Sequence, residues 1–483
     1  MKNSIRAIAL LFLSVHLSQA QVTFEKNGQS YDSIIGRGVA LGDLNEDGFI
    51  DAFVSSQGDG FQIYFGDDAR GFSNSNQTLS TTDNWWGTPA VADIDQDGRK
   101  EVVTGRTVWI HDSAGQFTAN TERIQLSSEG KLGSGQLADL NKDGYPDLFA
   151  IINYTASRVF LNDGTGRLVD SGQELGDGLI GSGQIADVTL GDINNDGNVD
   201  AVVTGWRWNG STENPNQVWI NNGAGQFTLS DMDLDEGGSH VHGLTLHDLN
   251  GDGWLDLIMA IQDQNRSGRI YMNDGFGKLI KGNHIGSRSG ENINVADFNG
   301  DGIEDIFIAQ STPPSRIWLN DGSGKLTDSG AGLGSFCFWD SAVEDFNQDG
   351  KPDIFAMGFN WLSSGLTAVS PEVWLNTSSV SGIKTGWNHL PSKIQLHQNN
   401  PNPFNPATVI GYQLPEYGNV KLKVHDILGR DIKTLVDSFQ SPGEYSFAWN
   451  GQDDSGNQVG SGMYFYSLVI DDMQFHKKMM LIR

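Results

Sequence analysis

Seven stretches of the chain carry oxygen-bearing side chains at one spacing, D-x-[ND]-x-D-G-x-x-[DE], starting at Asp43, Asp93, Asp139, Asp192, Asp248, Asp297 and Asp345. Acids or an amide at positions 1, 3, 5 and 9, a backbone carbonyl at 7, and a glycine for a sharp turn at 6 can wrap one hard cation in oxygen. In the first copy the donors are Asp43, Asn45, Asp47, Asp51 and the carbonyl of Phe49, with Gly48 at the turn. The second offers Asp93, Asp95, Asp97, Glu101 and the Arg99 carbonyl, and the third Asp139, Asn141, Asp143, Asp147 and the Tyr145 carbonyl. The fourth offers Asp192, Asn194, Asp196, Asp200 and Asn198, and the fifth Asp248, Asn250, Asp252, Asp256 and Trp254. The sixth has Asp297, Asn299, Asp301, Asp305 and Ile303, and the seventh Asp345, Asn347, Asp349, Asp353 and Lys351. Ca²⁺ accepts such an irregular, protein-derived shell, whereas Mg²⁺ demands a tighter octahedron and keeps its waters, so up to seven structural Ca²⁺ ions are expected. A single copy reads equally well as an Asn-x-Asp-Gly turn. Turn chemistry does not call for acids at positions 1 and 9 in seven successive copies. An EF-hand needs flanking helices and a Glu at position 12, and here β-type runs flank every loop.

Those runs are what must position the loops. The copies recur at intervals of 50, 46, 53, 56, 49 and 48 residues, a period that marks a repeat architecture. Before each loop comes a small or apolar run such as Gly38-Val39-Ala40-Leu41-Gly42, and after it a β-branched or aromatic run such as Leu148-Phe149-Ala150. Both read as buried strands. A third run follows, as in Val159-Phe160-Leu161 or Ile317-Trp318-Leu319, and in most copies a Gly-rich turn such as Asn162-Asp163-Gly164-Thr165-Gly166 leads to a fourth. Seven four-stranded units suit an all-β, seven-bladed β-propeller, in which no unit covers both of its own faces. The seventh copy lacks the hairpin, while Val22 to Gly28 resembles the strand after the other hairpins. That N-terminal segment is therefore expected to supply the outer strand of blade seven.

Composition bounds the partners. With 31 basic and 60 acidic side chains the formal charge is −29, which repels phosphate backbones and anionic lipid heads and argues against nucleic acid as a partner. The lone Cys337 cannot form an internal disulfide. Lys2 and Arg6, the apolar run to Leu17, and Ser18-Gln19-Ala20 read as a signal peptide over 1–20, and no later stretch is long and apolar enough to span a membrane. The mature chain would carry −31, and seven Ca²⁺ ions would reduce this to −17. Metal would thus stabilise the fold in place of disulfides.

A ligand needs a concave, chemically mixed surface, and strand order places loops joining second to third strands, and blade to blade, on the face away from the acidic loops. Trp85, Trp86, Trp206, Trp208, Trp339 and Trp361 fall there, beside Arg37, Asp187, Arg207, His240, His242, Glu291, Asn292 and Asp340. Aromatic faces next to polar groups suit a sugar, although tryptophans also plug channels and seams between blades. His240 and His242 on one strand face read more simply as a hydrogen-bonded pair than as a transition-metal site. Cys337 lacks a histidine partner and reads as a small buried residue. Neither GxSxG nor HExxH is present, so no catalytic residue is assigned.

From about Gln21 to Asn376 the repeats resemble the FG-GAP or VCBS-type repeats of secreted bacterial proteins, whose calcium loops are similar to those of integrin α-subunit propellers. The resemblance implies calcium between the first two strands of each blade and says little about ligand. Residues 377–394 read as a linker. Beyond it, Thr408–Tyr412, Val420–Val424, Tyr445–Trp449 and Met463–Leu468 alternate as strands of a small Ig-like β-sandwich over 395–483. Asn402-Pro403-Phe404-Asn405-Pro406, Asp426-Ile427-Leu428-Gly429-Arg430, and Trp449-Asn450-Gly451 followed by Ser461-Gly462-Met463-Tyr464 look like the type A C-terminal sorting domain of type IX secretion cargo. That resemblance implies engagement of the type IX machinery, passage across an outer membrane, and a secreted or cell-surface location. The leading expectation is a non-enzymatic binding or adhesion module for a glycan or surface protein. One alternative is a polysaccharide lyase or hydrolase using His240, His242, Arg37 and Asp187; another is a structural part of a cell-surface assembly.

Overall fold

A computed structural model of the chain describes residues 22–482 except 58–59, 68–70, 78, 81–87, 113–114, 126–130, 154–155, 177–186, 206–215, 235–239, 264, 363–364, 379–393, 400–401, 403, 405–407, 415–417, 428, 441–442, 454–456 and 471–472. The signal-peptide expectation therefore lies outside the described residues. Every regular element described is a β-strand, and the chain divides into two units, 1–384 and 385–483.

In the first unit the strands form four-stranded sheets that are the blades of a propeller, some with one short extra strand. The first pairs Gly36–Gly42, Asp51–Ser56, Gly60–Gly66 and Phe72–Asn74 in simple order. Six more sheets, begun by Ala90–Ala92, Lys131–Ala138, Asp187–Gly191, His240–His247, Gly290–Ala296 and Cys337–Glu344, repeat it among the described residues. These leading strands touch one another in chain order, and the last touches the first. They line the axis of a closed ring. Phe24–Lys26 runs antiparallel to Glu372–Asn376, so the segment before the first blade completes the last one.

Second strands such as Asp51–Ser56 are buried along their whole length, because each sheet has a neighbour on both faces. This is why they read as unbroken apolar runs rather than alternating ones. A further contact joins neighbours. The asparagine ending the third strand donates its Nδ2 to a carbonyl in the acidic loop of the preceding blade: Asn162 to Ile94 (2.7 Å), Asn221 to Leu140 (2.8 Å), Asn273 to Ile193 (2.9 Å), Asn320 to Leu249 (2.7 Å) and Asn376 to Phe298 (3.1 Å). Gly66 and His111 occupy this position in the first two blades.

The second unit is a small sandwich. Gln395–Leu396, Thr408–Leu414 and Gly443–Trp449 form one sheet, and Asp431–Gln440, Gly418–His425, Gly462–Ile470 and Met473–Leu481 form the other. Trp449, Tyr412 and Tyr466 fill the core. The short Gln395–Leu396, Asp431–Gln440 and Met473–Leu481 add three strands to the four read from the sequence; Gln474, His476 and Lys478 alternate polar along the last of these, which hid its buried Met479 and Leu481. Asn402 and Phe404 lie along the outer edge of that last strand. Asn402 Oδ1 accepts the Met480 N–H at 2.9 Å, Phe404 N–H donates to the Met480 carbonyl, and Phe404 packs on Trp449. An open edge is thereby shielded from stray pairing.

Candidate metal centres and the axial cluster

Each acidic loop joins a leading strand to the buried second strand of the same blade, and its nine residues form one hydrogen-bonded cage. The position 1 aspartate accepts the N–H groups of positions 5 and 6: Asp43 those of Asp47 (3.2 Å) and Gly48 (3.0 Å), Asp345 those of Asp349 (3.0 Å) and Gly350 (2.7 Å). Position 5 accepts the position 7 N–H, as Asp143 does from Tyr145 and Asp301 from Ile303, both at 2.9 Å. The turn at position 6 needs the left-handed region, with φ between 81° and 92° from Gly197 to Gly98.

Position 9 does more than the spacing suggested. Asp51, Asp147, Asp200, Asp256, Asp305 and Asp353 are fully buried at the start of the second strand. Each accepts a loop N–H on one oxygen, and on the other an N–H from the end of the third strand. For Asp200 these come from Ile193 (3.1 Å) and Asn221 (2.9 Å), and for Asp353 from Phe346 (3.1 Å) and Asn376 (2.7 Å). One carboxylate thus binds three strands together. Burial, with added repulsion from positions 1 and 5, raises these acids to between about 6 for Asp147 and Asp256 and about 8 for Asp305.

The donor set fits a hard divalent cation. Every donor is oxygen, each carboxylate oxygen that accepts one N–H keeps a second lone pair, and three acids crowd each loop, four in the second. Among the described residues, no lysine or arginine ion pair reaches the loop carboxylates starting at Asp43, Asp139, Asp192, Asp248 or Asp297. In the second loop Asp93, Asp95 and Glu101 bring their oxygens within 4.8 Å of one another. There Arg123 binds Asp95 at 2.7 Å, Arg99 binds Asp97, and Asp95 Oδ1 is buried without a partner.

A pH effect follows from the raised position 9 acids. In the metal-free protein the folded state holds these protons more tightly than the unfolded chain, so the stability they contribute is complete below about pH 4 and lost as pH rises toward about 8. Protein stripped of metal should therefore melt higher at pH 5 than at pH 8. With saturating Ca²⁺ the order should reverse, because protons compete with the metal; thermal melts at the two pH values check this.

At the other end of the leading strands lie the residues singled out for a ligand. His242 Nδ1 meets the Glu291 carboxylate at 2.5 Å, both side chains buried. The Arg37 guanidinium lies 4.9 Å from the ring centres of both Trp339 and Phe359, donates to Gln57, and is lowered by burial to about 10. Trp339 meets the His242 ring edge-on at 5.2 Å. Asp340 accepts the Val39 N–H at 2.9 Å and faces the Thr88 hydroxyl, and burial raises it to about 7. Asp187 accepts from Ser134 (3.0 Å) and is raised by desolvation to about 6. His240 is half-buried, and its proton affinity is lowered by burial and by His242. Asn292 stands apart, accepting from Asn294 and Ser341. Arg37, His242, Glu291 and Asp340 thus contact one another or neighbouring leading strands. Cys337 is buried beside them, its thiol pushed far above its ordinary value. Trp85, Trp86, Trp206, Arg207 and Trp208 lie outside the described residues; Trp361 is in the strand Asp353–Leu362.

Residues 43–104, 139–203, 206–259, 248–308 and 297–356 match the FG-GAP-like repeat, together more than half of the chain, and all seven acidic loops fall inside them. The chain belongs to the FG-GAP-like repeat family. Residues 406–472 match the FlgD Ig-like domain. The comparison with curated proteins returned no match. Among solved structures, this FG-GAP-like chain is similar to BBS1N in complex with ARL6DN in a lead-soaked crystal (11% identity, 75% of this chain and 99% of that one, TM-score 0.48). It is also similar to PorZ, a surface component of the type-IX secretion system of Porphyromonas gingivalis (13% identity, 90% of this chain and 58% of that one, TM-score 0.43). No described helix is long and apolar enough to cross a membrane.

Sequence reasoning found the loops but missed the asparagine contact between blades. Its signal was present: Asn162, Asn221, Asn273, Asn320 and Asn376 each follow an aromatic residue and a Leu, Ile or Met, but read as the first residue of a hairpin turn.

Proposed function

We propose that this FG-GAP-like propeller is an exported, calcium-stabilised binding or adhesion module for a glycan or a surface protein, delivered by its C-terminal unit acting as a type IX sorting domain. The observation that carries the calcium reading is the all-oxygen cage repeated in seven loops, with a buried carboxylate tying three strands behind six of them. Calcium, when bound, would supply charge neutralisation and cross-linking; the chain's own carboxylates orient the loops and hold the strand ends. Trp206, Arg207 and Trp208 fall in sequence between the strands Asp200–Thr204 and Gln217–Asn221 of the fourth blade, the connection expected to carry the ligand. The Arg37–Trp339–His242–Glu291 cluster gives that end of the ring a largely buried, mutually contacting base. The sorting role is supported by the motifs at Asn402, Asp426 and Trp449 that resemble such a domain.

The test is binding of the secreted chain to a glycan array, with product release assayed in parallel. Retention without release supports the module, and the Trp206→Ala/Trp208→Ala variant should weaken it at least about tenfold at unchanged melting temperature. Reducing-end or unsaturated-sugar release overturns it in favour of an enzyme.

A further inference from the structure

Position 4 of the acidic loops needs a left-handed backbone, which favours glycine. Gly251 and Gly300 supply it in the fifth and sixth loops, with φ of 72° and 73°. The other five loops place a side chain there despite the strain: Glu46, Gln96, Lys142, Asn195 and Gln348, with φ between 53° and 64°.

Three of these side chains reach the next loop around the ring. Gln96 Nε2 donates to the Gly144 carbonyl at 2.7 Å, Asn195 Nδ2 to Gly253 at 3.0 Å, and Gln348 Nε2 to Gly48 at 3.1 Å. Lys142 points the same way, its Nζ 3.7 Å from where a Cβ on Gly197 would stand. The acceptor is always the position 6 glycine. Its own N–H is held by the position 1 carboxylate of that second loop, as Gly144 is by Asp139 (2.9 Å), Gly253 by Asp248 (2.7 Å) and Gly48 by Asp43 (3.0 Å). Its carbonyl lies one residue before position 7, whose own carbonyl is the expected metal donor.

We infer that these arms couple the metal loops in pairs, the second with the third, the fourth with the fifth and the seventh with the first, so that filling one loop of a pair favours filling the other. The inference rests on the calcium reading above. Position 4 stands between the donors at positions 3 and 5, so a cation that orders those donors also fixes the arm. The arm then holds the next loop's turn in the shape its own cation needs. The ordering cost is met once for two sites, which is positive coupling without any change of fold. The fifth and sixth loops have only glycine at position 4 and send no arm onward, so the sixth loop stands outside the three pairs.

The test compares calcium titrations by calorimetry of the metal-stripped wild type and of Gln96→Gly/Asn195→Gly/Gln348→Gly, with melting curves in chelator alongside. Glycine suits the left-handed backbone, so the variant should melt no lower than wild type without metal. Its calcium isotherm should lose its steepness, with the apparent affinity of the coupled sites falling about fivefold. Gln348→Gly alone should show part of this loss. Identical isotherms for wild type and variant overturn the coupling while leaving calcium binding intact. A variant that melts lower in chelator with an unchanged isotherm shows a plain structural strap, which also overturns it. No binding heat from the wild type removes the calcium reading and the coupling with it.

Discussion

Stripping divalent metal should lower the melting temperature by more than about 10 °C, and Ca²⁺ should restore it. A cation that binds only the folded state adds about 2.7 kcal/mol per site at a free concentration of about 100 times Kd. For a propeller of this length each kcal/mol moves the midpoint by roughly 1–2 °C, so seven filled loops would shift it by about 20–40 °C. The effect should be global, because six of the loops sit where three strands of a blade meet and five receive the next blade's asparagine, as Asp200, Asn221 and Leu140 show. Melting curves in chelator, then in excess Ca²⁺ or Mg²⁺, check it. Ca²⁺ should restore the midpoint fully and Mg²⁺ only in part, since Mg²⁺ prefers to keep its waters. A curve unmoved by chelator would mean the cages hold their shape by hydrogen bonds alone.

Much of the propeller was legible because its physics repeats. A loop that must gather acids around a tight turn spells the same nine letters each time, and a strand covered on both faces spells an unbroken apolar run, as Leu148–Ile152 does. Contacts between repeats were harder to read. Asn221 makes the same turn as any hairpin asparagine, and nothing in its neighbours shows that its Nδ2 crosses to another blade. Gln96 and Gln348 look like unremarkable loop residues until their φ values and the carbonyls they reach are known. In the C-terminal unit the core strand around Tyr464–Leu468 was plain, whereas Asp431–Gln440 was not, since Asp431, Lys433, Thr434 and Asp437 break its alternation.

The ligand end divides along the same line. Sequence order placed Arg37, His242, Glu291 and Trp339 at the same end of the leading strands, and the structure brings them into contact. What their types could not reveal is that they spend their polar groups on one another and on neighbouring strands. A buried arginine between two rings, and a buried imidazole on a carboxylate, hold blades together whether or not a ligand is near.

Asp256→Ala should cost about 3–5 kcal/mol even in chelator, whereas Asp252→Ala in the same loop should cost nothing there. Asp256 is fully buried and accepts the Leu249 N–H at 3.1 Å and the Asn273 N–H at 2.7 Å. Truncation leaves both donors without partners inside the protein, at about 1–3 kcal/mol each, and frees the strand end from which Asn273 reaches Ile193 of the preceding blade. Asp252 is exposed and accepts only within its own loop, from the Trp254 and Asn250 groups at 2.9 Å. Without metal its removal takes away one of three mutually repelling carboxylates, so the variant should melt at or slightly above wild type. With Ca²⁺ present both variants should fall below wild type, having lost a donor. Asp256→Asn, which keeps one accepting oxygen, should lie between. Paired melting curves in chelator and in Ca²⁺ separate the two roles: equal losses for the two alanine variants in chelator, or a loss for Asp256→Ala that appears only with Ca²⁺, would make position 9 a simple metal donor rather than the strut that joins three strands.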